Sequence, residues 1–151
     1  MEFKNFEEFY NKAYNLAMQA KHKQTTSRQA IIWARKIFNN NDLNSFYHIG
    51  FLDKYQVNLL DAKVSTIKFS VDSLIKNIIK HPEITFEEYL KINKLVKHPD
   101  KVCLSKSNNN SILLLKWDDK YYQVVIKTTL DKKENFLTSF RMLSQGEFNK
   151  Y

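Results

Sequence analysis

The chain has 151 residues, 43% hydrophobic, 26% charged and 14% aromatic, with two glycines and two prolines. This suits one compact soluble domain, or a domain with a helical extension, and excludes collagen-like, disordered and glycine-rich phosphate-cradling classes. Net charge is +8, from 24 Lys and Arg against 16 Asp and Glu, which fits a polyanionic partner because each neutralised phosphate releases condensed counterions. All basic residues but Arg28, Arg35 and Arg141 are Lys, in a sequence also rich in Asn and Ile, so compositional bias accounts for the charge equally well. Apolar runs such as Ile112–Leu115 fall far short of the roughly 20 residues of a membrane span. The opening MEFKNFEEFY carries no signal-peptide pattern. The single cysteine, Cys103, leaves no internal disulfide framework and no cysteine-based zinc site. Cytoplasmic folding, with no membrane association, is expected.

In chain order, residues 3–22 place Phe3, Phe6, Phe9, Tyr10, Ala13, Leu16, Ala17 and Ala20 at helical spacing. Ser27 is an N-cap candidate for a second helix through Phe38. Asp42 is a candidate cap for a third helical segment carrying Leu43, Phe46, Tyr47, Ile49 and Phe51. Residues 1–60 thus read as a helical extension. The stretch 63–69 alternates and is rich in β-branched residues, which predicts a strand. Ser70 caps a helix whose stripe is Val71, Leu74, Ile75, Ile78 and Ile79, ended by His81-Pro82. Thr85 and Glu88 have capping-box spacing for a further helix, burying Phe86, Tyr89, Leu90, Ile92, Leu95 and Val96 and stopping at His98-Pro99-Asp100. Four strands follow, at 102–105, 112–117, 121–128 and 134–141, with turns at 107–111, 118–120 and 129–133. The order predicts an α+β domain over residues 61–151, with helices on an antiparallel sheet of four or five strands.

Alternation along the last two strands puts Tyr121, Gln123, Val125 and Lys127 on one face, and groups Leu137, Ser139 and Arg141 opposite Phe136, Thr138 and Phe140. A sheet face bearing Lys127, Ser139 and Arg141 suits phosphate binding, and a register slip of one residue exchanges Ser139 for Thr138. An ordinary solvated strand face has the same pattern. His81 and His98 each follow a Lys, precede a Pro and end a helix. Imidazole takes and gives protons near neutrality. Complementing a helix dipole is the competing role for both. No HExxH motif, His/Cys cluster or carboxylate cluster suggests a metal, and no cofactor is expected.

The run FSVDSLIKNIIKHPEITFEEYLKINKLVKHPDKV, followed by YYQVVIKTTLDKKENFLTSF, resembles the phage barnase–EndoU–colicin–RelE-like (PBECR) nuclease domains. Its pieces here are Ser70, Lys80-His81-Pro82-Glu83, Glu88-Tyr89-Leu90, Pro99-Asp100, Lys127-Thr128 and Phe136 through Arg141, covering about half of the chain. Such domains occur at the C-terminus of Mu-type minor head proteins and in toxins of mobile elements. The resemblance implies helices on a four-stranded antiparallel sheet and metal-independent endoribonuclease chemistry in which the 2′-hydroxyl attacks and leaves a 2′,3′-cyclic phosphate. It assigns catalysis to His81, Lys127 and the Thr138-Ser139 pair, with Lys76 and Arg141 as further phosphate contacts; Lys80 and His98 are additional candidates for nucleic-acid contact. RNA is the implied substrate, and an antitoxin or immunity protein the implied partner. The competing readings are a non-catalytic nucleic-acid- or partner-binding phage protein, and a structural phage protein assembled through its aromatic helices.

Overall fold

The computed structural model describes residues 1–105 and 110–151. β1 (Glu2–Phe3), α1 (Phe6–Lys23), α2 (Ser27–Ile37) and the single turn α3 (Asn40–Leu43) come first. β2 (Phe46–Phe51), α4 (Lys54–Leu60), β3 (Thr66–Ser70), α5 (Val71–Lys80), α6 (Phe86–Tyr89) and α7 (Ile92–Lys97) follow. β4 (Lys101–Leu104), β5 (Ser111–Asp118), β6 (Lys120–Thr128) and β7 (Asn135–Leu143) then lead into α8 (Gln145–Asn149).

Helices begin where a side chain satisfies an orphan backbone N–H. Asn5 accepts from Glu8 at the start of α1, and Ser70 accepts from Ser73 at the start of α5. Thr26, one residue earlier than the expected Ser27, caps α2. The stripe Phe9, Ala13, Ala17 and Ala20 is fully buried, and its small side chains let α1 lie close against α5.

The strands form one sheet in the order β1-β2-β3-β7-β6-β5-β4, larger than the expected four or five strands. It is mostly antiparallel, with β1/β2 and β3/β7 parallel. Two of the extra strands come from the segment expected to be helical. The third expected helix reduces to one turn capped by Asn39, and residues 46–51 form a strand. Phe, Tyr and Ile are strong strand formers, and pairing with β1 and β3 on both sides overrides their helical spacing. The expected helix beginning at Thr85 breaks into α6 and α7. A tight bond from the Lys91 N–H to the Glu88 carbonyl re-aims the chain and leaves Leu90 52% exposed rather than buried. The expected turn at 107–111 lies largely outside the described residues.

One face of the sheet is covered by helices. Ile67 and Phe69 of β3, Leu114 of β5, Val124 and Ile126 of β6 and Leu137 and Phe140 of β7 pack there, with Leu74 and Ile75 of α5 and Ile92 of α7 in the same cluster. The opposite face is open except at one end, where Phe148 of α8 packs on Leu115 and Leu143.

A β-bulge breaks the expected grouping on β7. Val125 pairs with Ser139, but Ile126 pairs with Leu137, leaving Thr138 as the extra residue. Leu137 therefore joins Phe140 in the core instead of sharing a face with Ser139 and Arg141. Phe136 pairs with Lys127 and stands with it on the open face.

Candidate functional site

β3 and β7 run parallel for only two pairs, Ile67 with Asn135 and Lys68 with Phe136, before β3 turns into α5. Beyond that point α5 takes the place of a neighbouring strand along β7. The Lys76 ammonium donates to the Thr138 carbonyl at 2.8 Å. The Asn77 amide donates to the Phe140 carbonyl at 2.8 Å and accepts from the Phe140 N–H at 2.9 Å. These side chains satisfy an edge that a missing strand leaves unpaired. Burial holds the Lys76 amine below the ordinary lysine pKa; Lys80 and Arg35 push the same way, and Asp72 opposes them.

Where β3 and β7 part, a cleft of about 460 Å³ opens on the uncovered face. Lys127 and Thr138 line it, together with Phe46, Lys68, Glu134 and Phe136. Lys68 sits over the Phe46 ring at 4.5 Å and pairs with Glu134 at 3.2 Å. Lys127 is exposed and has no ion-pair partner among the described residues. Asp72 reaches the rim but is held in a two-pronged pair with Arg35 of α2, at 3.0 and 3.1 Å.

His81 lies at the opposite end of α5, as its C-cap. It is partly buried, and its Nδ1 lies 3.6 Å from Glu83. Burial pushes its pKa below 6.5; Arg141 and Lys80 add to that, and Glu83 opposes. Burial thus favours the neutral imidazole. Arg141 itself donates from Nε to Gln123 at 2.8 Å and from Nη1 to Glu147 of α8 at 3.3 Å. A second cleft, about 740 Å³, opens around Gln123, Arg141, Glu147 and Tyr151.

Of the expected residues, Lys127 and Thr138 line the first cleft and Arg141 lines the second. Lys76 meets the first cleft's wall only through the Thr138 carbonyl, and Lys80 and His81 lie at the C-terminal end of α5 and line neither cleft. Ser139, opposite Val125, lies on β7 between Thr138 and Arg141. Lys127 and Gln123, the cross-strand neighbour of Arg141, are four residues apart on β6, or about 13 Å at the usual strand rise of about 3.3 Å. His98 also lines neither cleft. It is an exposed C-cap of α7 whose carbonyl accepts from Lys116. Among the described residues, no group of three or more His, Cys, Asp or Glu side chains gathers in one place, and no helix is long and apolar enough to cross a membrane.

Sequence reasoning missed Phe46, Lys68, Glu134, Gln123 and Glu147. Phe46 was hidden by the helical reading of its segment. Glu147 had a visible signal, since Ser144 and Glu147 have capping-box spacing and form one. Lys68 and Glu134 meet only through the β3/β7 pairing, 66 residues apart in sequence.

The family described as phage-Barnase-EndoU-ColicinE5/D-RelE like nuclease3 matches residues 49–150. No curated protein and no solved structure shows a significant match. The matched residues include every strand from β3 onward, both clefts' β6 and β7 walls, and His81.

Proposed function

The chain belongs to this phage-type nuclease family, and we propose that it is an endoribonuclease of phage or mobile-element origin that cleaves RNA by acid–base chemistry without a metal. The observation that carries the reading is the match of residues 49–150 to the nuclease family, with Lys127 and Arg141 on the open sheet face and the partly buried His81 capping α5. Burial favours the neutral form of the His81 imidazole.

In this reading the neutral imidazole takes the proton of a 2′-hydroxyl. The 2′-oxygen forms its bond to phosphorus as the bond to the 5′-oxygen breaks, the departing oxygen takes a proton from water, and a 2′,3′-cyclic phosphate remains. Arg141 stabilises the charge that builds on the non-bridging oxygens, and Ser139 or Thr138 orients the phosphate. Lys127 and Lys76 hold the flanking backbone, with Lys80 at the rim. The spacing between Lys127 and Arg141 suits two phosphates separated by an intervening one, on a strand lying along the face, better than one shared phosphate. His98, away from both clefts, is left to a peripheral backbone contact. A toxin restrained in the cytoplasm by an antitoxin or immunity protein fits such an activity, with residues 1–60 as the surface offered to that partner.

Incubation of total RNA with the protein in EDTA tests the reading. Cleavage leaving cyclic phosphate ends, and its loss in His81→Ala, is expected. An inert wild type, or an equally active variant, overturns it.

A further inference from the structure

Read across the strands instead of along them, the open face carries a row of direct neighbours. Lys68 of β3 pairs with Phe136 of β7, and Phe136 pairs with Lys127 of β6. Paired residues in a sheet share a face about 4.8 Å apart, so the Phe136 side chain is flanked by two lysines on neighbouring strands. One row away, Phe46 of β2 faces the same cleft beneath the Lys68 ammonium.

These two phenylalanines are unusual for this chain. Phe9, Phe69 and Phe140 are fully buried in the hydrophobic core, whereas Phe46 and Phe136 are half-buried and belong to neither hydrophobic cluster. Phe136 meets no other aromatic ring among the described residues. Folding does not account for apolar rings held at the wall of a cleft beside cations, and Phe136 is rigidly placed by strand pairing on both sides.

We propose that this cleft is a binding subsite for one nucleotide of a single-stranded nucleic acid. Its base stacks on Phe136 with Phe46 as the second wall, and its flanking phosphates are held by Lys127 and Lys68. The proposal rests on the nuclease reading above and adds to it where the strand is gripped, away from the reacting group at His81. Stacking on an aromatic ring between backbone-binding cations is the general solution for sequence-tolerant single-strand binding. The cleft's volume of about 460 Å³ lies in the range of small-ligand sites. Pairing with Arg35 removes the repulsion that Asp72 would otherwise exert on a phosphate, and Glu134 is offset by Lys68. Arg35 and Phe46 both precede the family-matched residues, so the N-terminal segment completes the subsite.

The test uses the full chain and a fluorescein-labelled 2′-O-methyl pentauridylate, which lacks the attacking hydroxyl and so reports binding alone. Phe136→Leu and Phe46→Leu are expected to weaken binding at least five-fold each, with folding checked by circular dichroism. With the wild-type protein, a 4-thiouridine at the central position should crosslink to a peptide containing Phe136 or Phe46. Wild-type affinity in both variants, or crosslinks confined to other peptides, overturns the subsite. RNA cleavage by the wild type together with those negative results removes the subsite and leaves the nuclease reading. Ring-dependent binding without cleavage supports the subsite and removes the nuclease reading.

Discussion

Asn77 stands in for a strand. Its side-chain amide makes both bonds to the Phe140 backbone that a β-neighbour would make, and also donates to the Tyr89 hydroxyl at 2.8 Å. Asn77→Leu keeps the volume and strands a buried N–H and a buried carbonyl. Each unsatisfied group costs about 1–3 kcal/mol, so a loss of roughly 2–4 kcal/mol is expected. Urea denaturation checks it, as a lower midpoint at unchanged slope. A variant as stable as wild type would mean that water or a shifted helix serves this edge.

The protonation of His81 sets a pH dependence. Its pKa in the folded chain lies below 6.5 because of burial first, then Arg141 and Lys80. Activity that needs the neutral ring should rise as pH climbs through a midpoint below 6.5 and level off by neutrality. Glu83 opposes the shift, so Glu83→Gln should move the midpoint lower, and Arg141→Gln should move it higher. In the same window the unfolded chain binds more protons than the folded one, so this group makes stability increase with pH up to about 6.5 and adds nothing further above it. A histidine proton titration by NMR reads the midpoint directly, and a value at or above 6.5 contradicts the burial argument.

Glu147 occupies part of the Arg141 guanidinium that a phosphate would need. Glutamine satisfies a capping box as glutamate does, so Glu147→Gln retains the Ser144 cap of α8 and removes only the charge. Oligonucleotide affinity at low salt should rise a few-fold. Unchanged affinity would place Arg141 outside the nucleic-acid contact.

Lys127 forms no ion pair among the described residues, and the Glu134 carboxylate in the same cleft is paired with Lys68, so the Lys127 ammonium is available to a phosphate. Lys127→Gln should weaken RNA binding and flatten the dependence of log affinity on log salt by about 0.7, the share of one phosphate contact on a single strand. An unaltered slope would mean that Lys127 faces solvent in the complex.

Much of this was readable from sequence where the physics is local. The caps at Ser70 and Thr85, the stop at His81-Pro82 and the four C-terminal strands depend on neighbours within a few residues, and they fold as expected. Residues 46–51 misled because their aromatic spacing fits a helix, and only partners at Glu2–Phe3 and Thr66–Ser70 decide for a strand. The bulge at Thr138 was equally hidden. Alternation alone placed Leu137 with Ser139, and one extra residue turned Leu137 inward and Phe136 toward Lys127. A cleft assembled from β2, β3, β6 and β7 has no signature in any one segment.

The sheet's outermost strands are its shortest. β1 has two residues and β4 four, around central strands of eight and nine. A long free edge recruits further strands from other molecules, and a stub offers too few backbone groups to do so. Next to β1, Lys4 pairs with Glu2 at 3.0 Å, adding charge where an incoming strand would dock. The same two residues of β1 that close the β2 side of the sheet therefore guard the protein against fibril-like association. Trimming the first five residues would uncover β2 at Phe46 and Tyr47, lengthening its free edge, and lower the concentration at which the protein remains dispersed.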